Sequence, residues 1–191
     1  MKNNKVINNF EIKKLINPKY IKPLSVSYEE DGVKKTWEVV KSHDSVAILL
    51  YHEEKNCFLF VKQFRPPVYL NNNNGITVEL CAGLVDKSLD LIDIAREEIE
   101  EECGYKVENK NIERVTSFYT AVGFSGGCQT LFYSKINEKM KIHEGGGIDN
   151  EMIELFYLDI SETKKFILDE SIPKTPGLMY AVHWFFDNKI K

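Results

Sequence analysis

"GLVDKSLDLIDIAREEIEEECGY", residues 83–105, is the stretch that decides the fold of this chain. Its second half places five glutamates in six positions and then stops at Gly104. Like charges one turn apart on a helix repel each other, and acids in the last turn oppose the helix dipole. The pattern still predicts a helix from Leu89 to Cys103, ended by Gly104 in a left-handed conformation. What offsets the repulsion must therefore come from outside the helix.

A helical projection at about 100° per residue separates these glutamates into two groups. Glu98, Glu101 and Glu102 lie beside the apolar stripe, at the rim of the predicted core, whereas Glu97 and Glu100 point elsewhere and are solvated. The stripe itself consists of Ile92, Ala95, Ile99 and Cys103. Three carboxylates on one rigid face are hard oxygen ligands, which suit Mg²⁺ that also binds substrate phosphates. We therefore expect a divalent cation to offset the repulsion.

Composition excludes several classes of protein. The chain has 191 residues and a net charge of -4, which is typical of a globular domain and argues against a general nucleic-acid binder. No run approaches about 18 apolar residues, and the first residues lack the apolar part of a secretory signal. Four cysteines without a C-x-x-C pair indicate reduced thiols. We therefore expect a cytoplasmic protein without a nucleic-acid or membrane partner.

The chain divides into two parts. Residues 1–42 form an N-terminal β extension, in which Asp31-Gly32 predicts a hairpin turn. In residues 43–191, short β-rich apolar runs are interrupted by few helices, predicted at 89–103, at 161–170 with Ser161 as N-cap, and in a short stretch within 177–189. "NNNN" (71–74) is a solvated loop. Many strands with few helices favour a mixed sheet flanked by helices.

The stretch from Gly83 to Tyr105 resembles the box of the Nudix hydrolase family. That pattern is a glycine, five residues, a glutamate, seven residues, then Arg-Glu-hydrophobe-any-Glu-Glu-any-Gly-hydrophobe. Further stretches resemble the nucleoside-diphosphate-sugar hydrolases of the family, especially UDP-sugar diphosphatases and their kin, the ADP-ribose diphosphatases. They are "KQFRPPVYLNNNNGITVELCAGLVD", "SFYTAVGFSGGCQTLFYSKI", "GGGIDNEMIEL" and "IPKTPGLMYAVHWF". The resemblance covers about residues 45–187. It implies an α/β/α sandwich of the α+β class with a mixed sheet and an N-terminal hairpin.

Two positions depart from the box. Its first glutamate falls at Leu89, with Asp90 one residue late, and its arginine falls at Glu97, with Arg96 one residue early. A shift of one residue turns a side chain by about 100° around a helix. Arg96 is therefore not expected to brace Glu98.

The resemblance implies a Mg²⁺-dependent enzyme, with Mn²⁺ as an alternative, that cleaves the diphosphate of a UDP-glucose or ADP-ribose type sugar nucleotide. Glu98, Glu101 and Glu102 would hold the metal, together with the backbone carbonyl of Ala82. The alternative is a non-catalytic Nudix domain that senses a nucleotide ligand or serves as an interaction module. Loss of one of the three glutamates would favour that alternative, and all three are present.

Four further residues are candidates for substrate binding or proton transfer. Arg65 could clamp the phosphates, because a guanidinium forks onto phosphate oxygens, or it forms a surface ion pair. Glu79 binds the nucleoside, braces the metal site or is a surface residue at a strand end. Three successive glycines, 145–147, predict a mobile loop. Asp149 or Glu151 in it could be the general base implied by the resemblance, with Glu151 favoured, or the loop is a plain connection.

The hairpin carries more apolar surface than two strands can protect in water. It either docks on its own domain or covers a second copy in a twofold homodimer, as the resemblance implies. In such a dimer, Trp37 could stack on the base of the substrate.

Overall fold

The first element of the fold is the predicted hairpin. Strands β1 (Lys22–Glu30) and β2 (Val33–Lys41) pair antiparallel in a sheet of their own. Asp31 and Gly32 connect them with φ angles of 52° and 78°. Two successive positive φ angles are characteristic of the type I′ turn, whose twist matches that of the strands. The hairpin prediction is confirmed, whereas the division into units 1–42 and 43–191 stays a prediction.

A seven-stranded mixed sheet forms the centre of the computed structural model, which describes residues 7–18, 20–148 and 151–190. Its strands are β3 (Ser45–His52), β4 (Cys57–Phe64), β5 (Ile76–Glu79), β6 (Cys81–Leu84), β7 (Ile112–Thr120), β8 (Gly127–Ile136) and β9 (Glu154–Asp159). The main path runs β5-β4-β3-β8-β7, with β6 paired to β3 and β9 to β4. Only β3 and β8 are parallel in this path, so the predicted mixed sheet is confirmed.

Helices cover both faces of this sheet. They are α1 (Pro66–Asn72), α2 (Leu91–Cys103), α3 (Ile160–Leu168) and α4 (Pro176–Asn188). Successive residues of a strand face opposite sides, and β3 accordingly supplies both cores. Ile48 belongs to the core under α2, and Leu49 to the core under α3 and α4. The predicted α/β/α sandwich is therefore confirmed.

Helix boundaries differ from the sequence prediction at several places, and α3 also ends at Leu168, two residues earlier than predicted. Helix α2 begins at Leu91, two residues later than predicted, because Asp90 has an extended conformation at the N-cap. Ser161 is not the N-cap of α3, since Asp159 holds that position and its carboxylate accepts a hydrogen bond from the Ser161 N–H (2.8 Å). The predicted asparagine loop includes the end of α1, which Pro66 starts, as prolines favour the first helical turn.

Within the part of the chain that the structure describes, no helix has the length and apolarity needed to cross a membrane.

Candidate active site

Helix α2 ends as predicted. Gly104 is left-handed, with φ of 78°, and its N–H donates to the carbonyl oxygen of Glu100 (2.9 Å). The loop that contains glycines 145–147, the glycine loop, closes over the same end of α2. The Gly146 N–H donates to the carbonyl of Glu102 (2.8 Å), and the Gly147 N–H donates to that of Glu101 (3.1 Å). These bonds satisfy carbonyls that a helix end leaves unpaired. The mobility expected of this loop stays a prediction, although all three glycines donate hydrogen bonds in the structure.

Glu102 is buried, although the sequence placed it at the rim of the core. Only 4 % of it is exposed, and its Oε2 accepts a hydrogen bond from the backbone N–H of Ala82 (2.9 Å). Burial raises the pKa of Glu102 to about 8, against the lowering effect of that N–H, and the charge of Glu98 raises it further. A carboxylate in this position is costly unless a cation accompanies it.

Glu98 lies one helical turn before Glu102 and is partly buried. Burial, and then the charge of Glu101, raise the pKa of Glu98 to about 7, while Lys87 lowers it. Gly83 on β6 makes room for this carboxylate, because a Cβ atom built on Gly83 would overlap the side chain of Glu98. The glycine that opens the box motif thus forms the cradle of a glutamate.

Glu151 comes from the glycine loop and lies beside these two carboxylates. Its charge contributes to the raised pKa of both Glu98 and Glu102. Its Oε2 accepts a hydrogen bond from the Ile148 N–H (3.1 Å). Asp149, the other candidate base, lies outside the described residues. Whether Glu151 acts as the general base stays a prediction.

Arg65 and Glu79 form a bidentate ion pair. Arg65 donates from Nε to Oε1 (2.8 Å) and from Nη2 to Oε2 (2.7 Å) of Glu79. Glu79 is buried and also accepts a hydrogen bond from the Thr77 hydroxyl, so it is not a surface residue. These bonds raise the pKa of Arg65, and the charges of Glu102 and Glu151 contribute. The pair therefore holds a guanidinium close to the carboxylates, which the sequence did not reveal.

The carboxylates of Glu98 and Glu102 are oxygen ligands of the kind that magnesium accepts. Across 7–18, 20–148 and 151–190, no three His, Cys, Asp or Glu side chains converge into a metal-binding group. Mg²⁺, however, is commonly held by one or two carboxylates, with waters and substrate phosphates completing the octahedron. Glu98 and Glu102 offer two carboxylates whose mutual repulsion a cation would relieve. The ligand roles of Glu101 and of the Ala82 carbonyl stay predictions.

Asp90 and Arg96, the two residues that are shifted from the box pattern, each have a defined place in the structure. Asp90 is the N-cap of α2, and Arg96 lies 3.5 Å from Asp93 through its Nη2. Glu97, at the position of the family arginine, accepts a hydrogen bond from Lys87 (2.8 Å). Arg96 is thus engaged away from Glu98, as the shift of one residue predicted.

Trp37 contacts its own chain. Its Nε1 donates to the carbonyl of Gly123 (2.7 Å) in the loop between β7 and β8, and 54 % of the residue is exposed. The Val40 N–H donates to the carbonyl of Phe124 in the same loop (2.7 Å). The end of the hairpin is thus attached to a loop at the edge of the sheet.

Comparison with known proteins decides the family. The chain is 35% identical to the uridine diphosphate glucose pyrophosphatase NUDT14 of Bos taurus, over 87% of this chain and 88% of that protein. The Mus musculus protein of the same name is 34% identical, over 90% of each chain. The chain belongs to the Nudix family of nucleotide-sugar hydrolases. It is also 32% identical to a GDP-mannose pyrophosphatase of Cronobacter sakazakii, over 78% of this chain and 80% of that protein. No family model matches the chain.

For this Nudix hydrolase, α2 is the helix of the box, and the candidate site lies where that helix, β6 and the glycine loop meet. All three predicted glutamates are in place on α2, and the relatives are named as enzymes. The non-catalytic alternative is therefore not adopted.

Proposed function

We propose that this Nudix hydrolase cleaves the diphosphate of a nucleoside diphosphate sugar to a nucleoside monophosphate and a sugar phosphate. The observation that carries the proposal is the pair of carboxylates on α2, the partly buried Glu98 at Gly83 and the buried Glu102, whose charge acts on the Arg65 guanidinium. A diphosphate carries adjacent anionic groups that repel a nucleophile. A site with a cation held by carboxylates and the positive charge of a guanidinium can bind those groups.

Mg²⁺, with Mn²⁺ as an alternative, is the proposed cofactor. Glu98 and Glu102 would hold it, with Glu101 and the Ala82 carbonyl as further candidate ligands. When bound, such an ion neutralises phosphate charge and favours the hydroxide form of a coordinated water. The raised pKa values of Glu98 and Glu102 are consistent with carboxylates that ionise fully only beside a cation.

The chain's own side chains contribute orientation and proton transfer. Glu79 fixes two nitrogens of Arg65, so the guanidinium plane is set before the substrate arrives. A planar guanidinium in a fixed position contributes through orientation of the phosphates. Glu151, attached to a glycine loop, is the candidate that accepts a proton from the attacking water.

The bond that is cleaved can be located with labelled water. We expect hydrolysis in ¹⁸O-water to give one labelled phosphate product, either the nucleoside monophosphate or the sugar phosphate, because the water attacks a phosphorus atom. Mass spectrometry of the products from UDP-glucose, GDP-mannose and ADP-ribose would show this and rank the three substrates. Free sugar together with intact nucleoside diphosphate would contradict the mechanism.

We also propose that two copies associate through the hairpin in a reducing compartment such as the cytoplasm. Cross-strand pairing puts Leu24, Val26 and Trp37 on one face of the hairpin, because Val26 is opposite Trp37 and Leu24 is opposite Val39. Each of the three is at least 39 % exposed. A two-stranded hairpin with such a face is marginal in water, so a second copy would stabilise it. Trp37 would then lie near the nucleoside end of a substrate.

The dimer is tested by a charge on that face. We expect light scattering of the full chain to give twice its mass of 22.1 kDa. Val26→Glu should give a monomer, because it buries a charge in the interface. Ser27→Glu, on the opposite face beside Thr36, is the matched control and should remain dimeric. A full-length protein that is monomeric at micromolar concentration would refute the interface.

A further inference from the structure

A cavity of about 320 Å³ lies on the α4 side of the sheet, and Glu79 and Ala82 are among the residues that line it. Its walls come from the ends of β5 to β8 and from the first turn of α4, and most of the lining is apolar. Five of the residues that line the cavity are Glu79, Ala82, Phe118, Gln129 and Gly177. In the proposed mechanism, Glu79 and Ala82 act through contacts that lie outside this cavity.

The cavity begins where the diphosphate site ends. Ala82 lines the cavity, while its backbone N–H binds the carboxylate of Glu102. Glu79 also lines it, while both of its oxygens hold Arg65. A diphosphate bound between the guanidinium and the carboxylates would therefore have one of its two substituents beside this opening.

One polar group in the wall is held in a fixed orientation. The Nε2 of Gln129 donates to the hydroxyl of Ser45 (3.1 Å), which leaves Oε1 as the acceptor. Gly177 makes room for it, since a Cβ built there would lie 2.8 Å from Oε1 and 3.2 Å from Cζ of Phe118. The side-chain amide of Gln129 and the ring of Phe118 thus meet the first turn of α4 at Gly177. Any larger residue at this position would displace one of these two side chains.

The chemistry of the wall distinguishes the two ends of a sugar nucleotide. A hexose is covered with hydroxyl groups, and burying them in a mostly apolar cavity leaves most without partners, which is costly. A nucleobase is flat and aromatic, packs against a phenyl ring, and presents N–H donors at its edge. Phe118 and the acceptor Oε1 of Gln129 suit the base.

We infer that this cavity binds the nucleobase of the substrate, with Phe118 as an aromatic wall and Gln129 as the acceptor of a base N–H. The inference rests on the proposed function. It assigns specificity for the base to β7, β8 and the first turn of α4. Trp37 lies at the same end, because its partner Gly123 is two residues from Ala121, which also lines the cavity.

The test uses nucleosides, which have no phosphate and need no metal. Gln63 and Gln129 are the two glutamines of the chain, so Gln129→Met assigns the side-chain amide of Gln129 in ¹⁵N-labelled protein. We expect uridine or guanosine to shift that amide. Gln129→Met should weaken nucleoside binding about tenfold, the value of one lost hydrogen bond, and should raise KM for the sugar nucleotide similarly.

Gly177→Ala provides a second variant that should fold well. The added methyl displaces the end of the Gln129 side chain, while alanine is favoured over glycine in a helix. We expect weaker nucleoside binding at an unchanged or higher melting temperature. Lys135→Met, an exposed position at the other end of the same strand, is the matched control and should bind nucleosides like the wild type.

Three results would overturn the inference. Nucleosides that leave the Gln129 amide unshifted, or that bind both variants as well as the wild type, would show that the cavity does not hold the base. Glucose 1-phosphate that shifts the amide instead would assign the cavity to the sugar. A wild type that binds nucleosides here but hydrolyses no sugar nucleotide would contradict the proposed function and leave this assignment standing.

Discussion

Glu102→Gln should lower kcat for sugar-nucleotide hydrolysis about 10³-fold while the protein stays folded. The loss follows because a neutral amide is a poor ligand for the proposed cation, whose stabilisation of developing charge is worth several kcal/mol. The fold should persist because the amide oxygen can still accept the hydrogen bond from the Ala82 N–H. Steady-state kinetics at saturating Mg²⁺ measures this effect.

The same variant gives a second, independent result in the absence of metal. The folded-state pKa of Glu102, about 8, lies above its ordinary value of 4.5, so the folded state binds this proton more tightly than the unfolded chain does. The stabilisation that the Glu102 proton contributes is therefore complete below about pH 4.5, and it is lost as the pH rises towards 8. Thermal unfolding of the metal-free wild type should show this fall. In Glu102→Gln the fall should be smaller, with only Glu98 contributing.

Glu100→Gln is the matched control, since it removes one charge from the same turn at a position directed away from the cradle. It should retain activity and the pH dependence of the wild type. Full activity of Glu102→Gln, together with no rise in the melting temperature of the wild type when Mg²⁺ and product are added, would refute the metal site.

The sequence predicted the features that depend on local pattern. The apolar runs of β3 and β4 are short and β-rich. Of the predicted stripe, Ala95, Ile99 and Cys103 are buried as expected, whereas Ile92 is only partly buried. Turn and cap chemistry was equally readable, because a positive φ at Gly32 or Gly104 is a local property of glycine. The N-cap of α3 was placed two residues too late, since Asp159 and Ser161 are both good capping residues.

Contacts between segments that are distant in the sequence could not be predicted from local pattern. Arg65 follows β4 and Glu79 ends β5, and their pairing depends on the register of these strands. The burial of Glu102 requires β6 and the glycine loop to close over the end of α2, which neither segment shows alone. A projection of an isolated helix places such a side chain at a rim, because it cannot include elements that pack from outside.

Gly83→Ala should lower kcat/KM about 10²-fold with little change in stability. A methyl group on Gly83 would occupy the space of the Glu98 carboxylate. The atoms it meets belong to the flexible end of one side chain, so the glutamate can turn away without moving the backbone. The backbone of Gly83 has no positive φ, so alanine adds no conformational strain. The cost therefore falls on the ligand geometry and much less on the core, because a misplacement of about 1 Å can lower activity about 10²-fold.

Gly127→Ala, at the start of β8, separates this effect from the general cost of replacing a glycine. A Cβ there would make ordinary contacts at 3.5 Å, to the carbonyl of His43 and the hydroxyl of Ser42. Both variants should melt within about 2–4 °C of the wild type, the shift that about 1 kcal/mol produces in a protein of this size. Only Gly83→Ala should require a higher Mg²⁺ concentration for half-maximal activity. If Gly83→Ala keeps the activity and metal dependence of the wild type, Glu98 does not hold the cation from this cradle, and the carboxylates of Glu101 and Glu102 must do so without it.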